Sequence, residues 1–192
     1  MSGPPKVRLF AGIELAAAAR TAIEVGTASL RTQVPGFRWV PAQNLHLTLV
    51  FLGWVEAHDV EPIRGALEAA LRPAAPFTAR LGGAGRFPDR GKARILWVGF
   101  ELGAEALSDL ADRAREGVAD RITDTRPFRP HITVARAKQP VRVAASALAS
   151  VPSLDRDVGV DAMTLFRSYL GSPHPRYEAI ARIGLQGGSV AG

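Results

Sequence analysis

The chain has 192 residues, 47% hydrophobic and 22% charged, a balance that fits a globular domain with a sizeable core and excludes large-scale disorder. It contains no cysteine, which rules out disulfides, thiolate metal sites and a thiol nucleophile. The formal net charge is +6, and all but three of the 24 basic residues are arginine; arginine binds phosphate bidentately, which opens nucleotide and nucleic-acid ligands, yet the basic residues are scattered and charge alone decides little.

Val7 to Ile13 reads as a first strand, followed by a helix over 15–30 whose apolar positions Leu15, Ala19, Ala22, Ile23, Gly26 and Leu30 keep a 3.6-residue period. Pro35-Gly36 ends it. A strand over Leu45 to Leu52 closes at Gly53, and Asp59 is placed to cap a helix carrying Val60, Ile63, Leu67 and Leu71 on one face. Two strands follow, Phe77 to Leu81 and Arg94 to Phe100, with the glycine-rich, basic loop Gly82 to Lys92 between them. Then come a helix over 105–121, a strand from His131 to Arg136, a shorter helix over 141–149, and two last strands, Val160 to Arg167 and Tyr177 to Ile183. Several strands are joined by short links, so the pattern predicts an α+β fold with antiparallel or mixed sheets rather than a doubly wound parallel one. One domain is expected over 1–192, with flexible tails at about 1–6 and 186–192. No apolar run approaches the roughly 18 residues of a membrane span, and Met1 to Lys6 has no apolar signal core, so the expectation is a cytoplasmic protein.

One pattern stands apart. His46-Leu47-Thr48-Leu49 and His131-Ile132-Thr133-Val134 repeat His-aliphatic-Thr-aliphatic 85 residues apart, and they take two of the four histidines. Residues two apart share a strand face, so each copy buries its aliphatic pair and offers an imidazole and a hydroxyl on the other side. Histidine is the side chain whose unperturbed titration falls between pH 5 and 8, so two of them facing one cleft can supply an acid and a base. With two hydroxyls for non-bridging oxygens, the set matches in-line displacement at phosphorus. No third His, Cys or clustered carboxylate lies at ligand spacing beside either motif, so no metal is expected.

The stretches Trp39-Val40-Pro41, Asn44 to Gly53 (NLHLTLVFLG) and Pro130 to Arg136 (PHITVAR) resemble the two signatures of the 2H phosphoesterases, and within them the RNA 2′,3′-cyclic phosphodiesterases, also called 2′-5′ RNA ligases. Arg8 to Ile13, Phe87-Pro88 before Leu96-Trp97-Val98, and Leu165 to Ser168 before Tyr177 fall in the same family order, so nearly the whole chain is covered. The resemblance implies a bilobal fold with two pseudo-symmetric sheets flanked by helices around a central cleft, and no cofactor. It implies hydrolysis of an RNA terminal 2′,3′-cyclic phosphate to a 2′-phosphate, with reversible 2′-5′ ligation, acting on RNA ends or nucleoside 2′,3′-cyclic phosphates. Apart from the resemblance, no exposed heptad or long apolar stripe demands a protein partner, so a monomer without an obligate partner is expected. By position, His46 would be the general acid, His131 the general base, and Thr48, Thr133 and Arg136 would bind substrate. The alternatives are a phosphodiesterase of a small cyclic nucleotide, of the ADP-ribose cyclic phosphate type, and a non-catalytic RNA-binding module.

Strand phase raises an objection at two positions. Regular alternation puts Arg136 on the core face with Ile132 and Val134, so a phosphate-binding role requires the strand to end or bulge near Ala135. Phe51 has the same difficulty as a base-stacking residue, and its aliphatic neighbours favour core packing. Gly82-Gly83-Ala84-Gly85 precedes Phe87-Pro88 rather than a helix, which excludes a nucleotide-binding loop and leaves a basic flap or a plain solvated loop. His174, in the late loop Gly171 to Tyr177 that borders the cleft, reads as solvated, and His58 as a helix-entry residue beside Asp59.

Overall fold

A computed structural model describes residues 5–122, 126–172 and 174–187. In chain order the elements are β1 (Lys6–Glu14), α1 (Ala17–Gly26), α2 (Ala28–Gln33), β2 (Arg38–Trp39), β3 (His46–Glu56), α3 (Val60–Leu71), β4 (Phe77–Phe87), β5 (Ala93–Leu102), α4 (Ala104–Gly117), β6 (Ile132–Val141), α5 (Ala145–Ala149), β7 (Asp157–Val160), β8 (Ala162–Tyr169) and β9 (Arg176–Gly184).

Every strand pairing is antiparallel, in the order β7-β4-β5-β6-β3-β1-β8-β9, with β2 beside β6. The two expected sheets are the two four-stranded arms of this order. They are joined between β6 and β3 by one register pair, Leu47 with Ile132. Counting outward from the junction, β6-β5-β4-β7 mirrors β3-β1-β8-β9, and the His-Thr strands are therefore the two innermost. Their aliphatic faces go into the core: Leu47, Leu49, Ile132 and Val134 are all buried. Ile63, Leu67 and Leu71 of α3 and Leu107, Leu110, Ala111 and Ala114 of α4 cover that core, each buried leucine contributing about 1.5–3 kcal/mol.

Several boundaries differ from the sequence pattern. The helix expected over 15–30 divides at Thr27, a buried residue whose hydroxyl donates to the Ile23 carbonyl at 2.7 Å. Gly53 does not end its strand; it adopts φ +73° within β3, a conformation open to glycine, and the strand runs on to Glu56. Residues 82–87 are strand rather than loop, because the small glycines leave room for the Trp97 ring: a Cβ on Gly85 would lie 2.1 Å from it. The β4–β5 connection is only 88–92, so there is no long basic flap. The helix expected over 105–121 stops at Gly117, with a 3-10 turn over Ala119–Arg121. Val141 ends β6, leaving only Ala145–Ala149 helical. Asp59 starts α3 without capping it through its side chain and pairs instead with Arg121 at 2.7 Å. Of the expected tails, Lys6 is already in β1, paired with Glu56; 1–4 and 188–192 lie outside the described residues.

Candidate active site

The junction pair sets the geometry. With Leu47 opposite Ile132, antiparallel register places His46 beside Thr133 and Thr48 beside His131, all four on the face away from the core. All four line one cleft of about 1000 Å³. The same local bond orients both imidazoles. His46 Nδ1–H donates to the Asn44 carbonyl and His131 Nδ1–H to the Arg129 carbonyl, each at 2.7 Å and each two residues back. A carbonyl can only accept, so Nδ1 carries the proton and Nε2 is left for chemistry. In the neutral ring, His46 Nε2 accepts from the Thr48 hydroxyl at 3.0 Å.

Each imidazole also has an aromatic wall. Phe10 lies 4.8 Å from His46 and Tyr177 meets it edge-on at 5.2 Å; Phe87 meets His131 edge-on at 4.9 Å. These apolar rings disfavour the imidazolium. His46 is pushed from 6.5 down to about 4, by burial first, against the Asn44 hydrogen bond and with smaller contributions from Arg136 and His131. His131 is lowered as well, again by burial first and then by the nearby Arg136 and Arg129 charges, against its own backbone bond. Both rings are thus neutral in the free cleft at pH 7.

Arg136 does reach the cleft, through the bulge that its role requires. Leu96 pairs with Ala135 but Trp97 pairs with Thr133, so Val134 is the extra residue and both Val134 and Ala135 are buried. Phe51, in contrast, is not in the core. An equivalent bulge lies on β3, where Ala11 pairs with Val50 but Gly12 with Thr48, and Leu49 and Val50 are both buried. Phe51 is turned outward to 42% exposure and lines the cleft. Position for position, Phe51 and Arg136 are equivalents, three residues after their threonines. Plain alternation misplaces both for the same reason: one inserted residue inverts the phase of everything after it.

Three further residues complete the site. Arg8 lies over the Phe51 ring at 4.6 Å and donates to Ser168 Oγ at 3.1 Å. Tyr177 lines the cleft from β9, and burial raises its phenol pKa against the Arg136 and Arg8 charges. Arg129 lies over Phe87 at 4.8 Å and pairs with Asp89. Sequence reasoning gave none of them a role, because each comes from a segment without periodic signal or from a strand distant in the chain. Asn44, whose carbonyl orients His46, also anchors the late loop by donating to the Pro175 carbonyl at 2.8 Å. That loop borders the cleft through Pro175 and Tyr177, whereas His174 is not in the lining, and Pro173 lies outside the described residues. His58 sits in the 3-10 turn Ala57–Asp59 entering α3. Among the described residues, no three His, Cys, Asp or Glu side chains cluster as metal ligands, and no carboxylate lines the cleft.

The mirrored arms and the paired His-x-Thr strands define a two-histidine phosphoesterase. Residues 17–171 match the model of the 2′-5′ RNA ligase superfamily. An RNA 2′,3′-cyclic phosphodiesterase of Escherichia coli is 33% identical, with 91% of this chain and 94% of that one aligned. One of Geobacillus stearothermophilus is also 33% identical over 93% of this chain, which spans only 57% of the longer relative. A crystal structure of TT0787 from Thermus thermophilus superposes with a TM-score of 0.80 at 32% identity, covering 94% of this chain and 98% of that one. The chain belongs to the 2′-5′ RNA ligase superfamily.

Proposed function

We propose that the chain hydrolyses RNA terminal 2′,3′-cyclic phosphates to 2′-phosphates without a metal, using His46 and His131 as an acid–base pair. What carries this is the pairing across the junction: two imidazoles with Nδ1 tied to backbone, each beside the other's threonine, in a cleft with Arg136 and no described carboxylate. Water attacks phosphorus as His131 Nε2 takes its proton. The bond from phosphorus to the 3′ oxygen breaks, and that oxygen receives a proton from His46 Nε2. Thr48 and Thr133 donate to the non-bridging oxygens and Arg136 offsets their charge. Because both rings are neutral in the empty cleft, the acid takes up its proton with the substrate, whose anionic phosphate opposes the burial that lowers the imidazole pKa. With the 5′-hydroxyl of a second RNA end attacking in place of water, the same step breaks the bond to the 3′ oxygen and forms a 2′-5′ phosphodiester; its reversal, with the two histidines exchanging roles, returns the cyclic phosphate and the free 5′-hydroxyl. We further propose that the chain acts on RNA ends as a cytoplasmic monomer. The family names of the relatives agree with this chemistry.

The test is incubation with nucleoside 2′,3′-cyclic phosphates in excess chelator, with the product identified by phosphorus NMR. The expected product is the 2′-phosphate. His46→Ala and His131→Ala each lower kcat about 10²–10⁴-fold. Undiminished turnover in either variant refutes the acid–base pair, and a requirement for added metal refutes the metal-free route.

A further inference from the structure

Beyond the cleft, β3 continues with a second phase inversion. Leu9 pairs with Gly53 but Phe10 with Phe51, so Leu52 is an extra residue and is buried, while Gly53 stands opposite the buried Leu9. The strand therefore presents His46, Thr48, Phe51 and then Trp54 on one face, at spacings that no unbroken strand would give. Trp54 is paired with Arg8, and directly opposed residues share a face; Arg8 lines the cleft. Trp54 is 59% exposed beside the 42% exposed Phe51, with the Arg8 guanidinium over the Phe51 ring. Single exposed aromatics are ordinary on protein surfaces. Here two follow one another on the catalytic strand, with a cation between them, running out of a phosphate cleft.

We propose that Arg8, Phe51 and Trp54 form a stacking track for the nucleotides on the 5′ side of the terminal cyclic phosphate, which makes a single-stranded RNA end, rather than a mononucleotide, the preferred substrate. This rests on the cyclic-phosphodiesterase function proposed above. The occupant follows from the chemistry of the surface. Aromatic and guanidinium faces bind unpaired bases, the arginine-lined cleft complements a polyanion, and the track is continuous with the site that holds the 3′ end. Phe51 and Trp54 stand opposite Phe10 and Arg8, two residues apart on β1, about 7 Å along the sheet, enough for separate bases.

The measurement is kcat/KM for a nucleoside 2′,3′-cyclic phosphate and for a tetranucleotide ending in one. The wild type is expected to favour the tetranucleotide, and Trp54→Ala to lower the tetranucleotide-to-mononucleotide ratio roughly 5- to 150-fold, the range for one lost base stack. Trp54→Phe, which keeps a π face, restores most of it. A ratio in Trp54→Ala equal to the wild type overturns the track. So does sedimentation showing a wild-type dimer that Trp54→Ala dissociates with the ratio intact, which assigns the patch to self-association. Failure of the underlying function is distinguishable, because then the wild type turns over neither substrate.

Discussion

Replacing His46 with glutamine removes a titrating group whose folded environment differs sharply from water. Burial against Phe10 and Tyr177 lowers its pKa from 6.5 to about 4, about 3 kcal/mol of preference for the neutral ring over the charged one. The sign follows from proton counting. Between pH 6.5 and 4 the unfolded chain binds a proton at this site and the folded chain does not, so stability falls as the pH is lowered through that window. The destabilisation is absent above pH 6.5 and complete below about pH 4. His131 is lowered in the same direction and remains in both proteins, as do the carboxylates, so the difference between wild type and His46→Gln isolates His46. Urea unfolding at about pH 7, 5.5 and 4 should show the wild type losing about 3 kcal/mol relative to the variant across the series. Parallel pH dependences would refute the buried neutral imidazole. Saturating nucleoside 2′-phosphate should raise the His46 pKa in an NMR titration of the ring protons, since an anion between the rings favours the imidazolium; a pKa that stays put or falls contradicts proton uptake with substrate.

Thr48→Val and Thr133→Val should each cost about 1–3 kcal/mol of transition-state stabilisation, as lost hydrogen bonds to charge. The loss should fall on kcat more than on KM, and an unchanged kcat in both variants removes the threonines from the reaction. Gly12→Ala probes the backbone behind the site: its Cβ would lie 2.4 Å from the Leu47 carbonyl oxygen, between His46 and Thr48. The main chain must move, so a stability loss of roughly 1–3 kcal/mol and reduced kcat are expected, and a wild-type melting temperature with full activity would show that β1 and β3 are not so closely opposed.

The paired His-x-Thr motif is legible in the chain because it is local. Strand alternation alone places His46 with Thr48 and His131 with Thr133, and buries Leu47 and Ile132 behind them. The apolar stripes of α3 and α4 are legible for the same reason, a fixed helical period. The break at Thr27, the strand through Gly82 to Phe87 and the early end of α4 at Gly117 are not, since each depends on what packs against the segment, as the Trp97 ring does on Gly85.

The groups proposed to do the chemistry are written into the chain itself: two imidazoles, two hydroxyls and the buried aliphatics that hold them, all set within short windows by a period of two. What surrounds them comes from tertiary contacts. The bulges at Val134 and Leu49 arise in pairing with β5 and β1, and they turn Arg136 and Phe51 toward the cleft against their phase. The aromatic walls that keep both imidazoles neutral come from β1, β4 and β9, far along the chain from the histidines. Periodicity fixes a side chain's face only while the register is unbroken, and a partner strand is what breaks it.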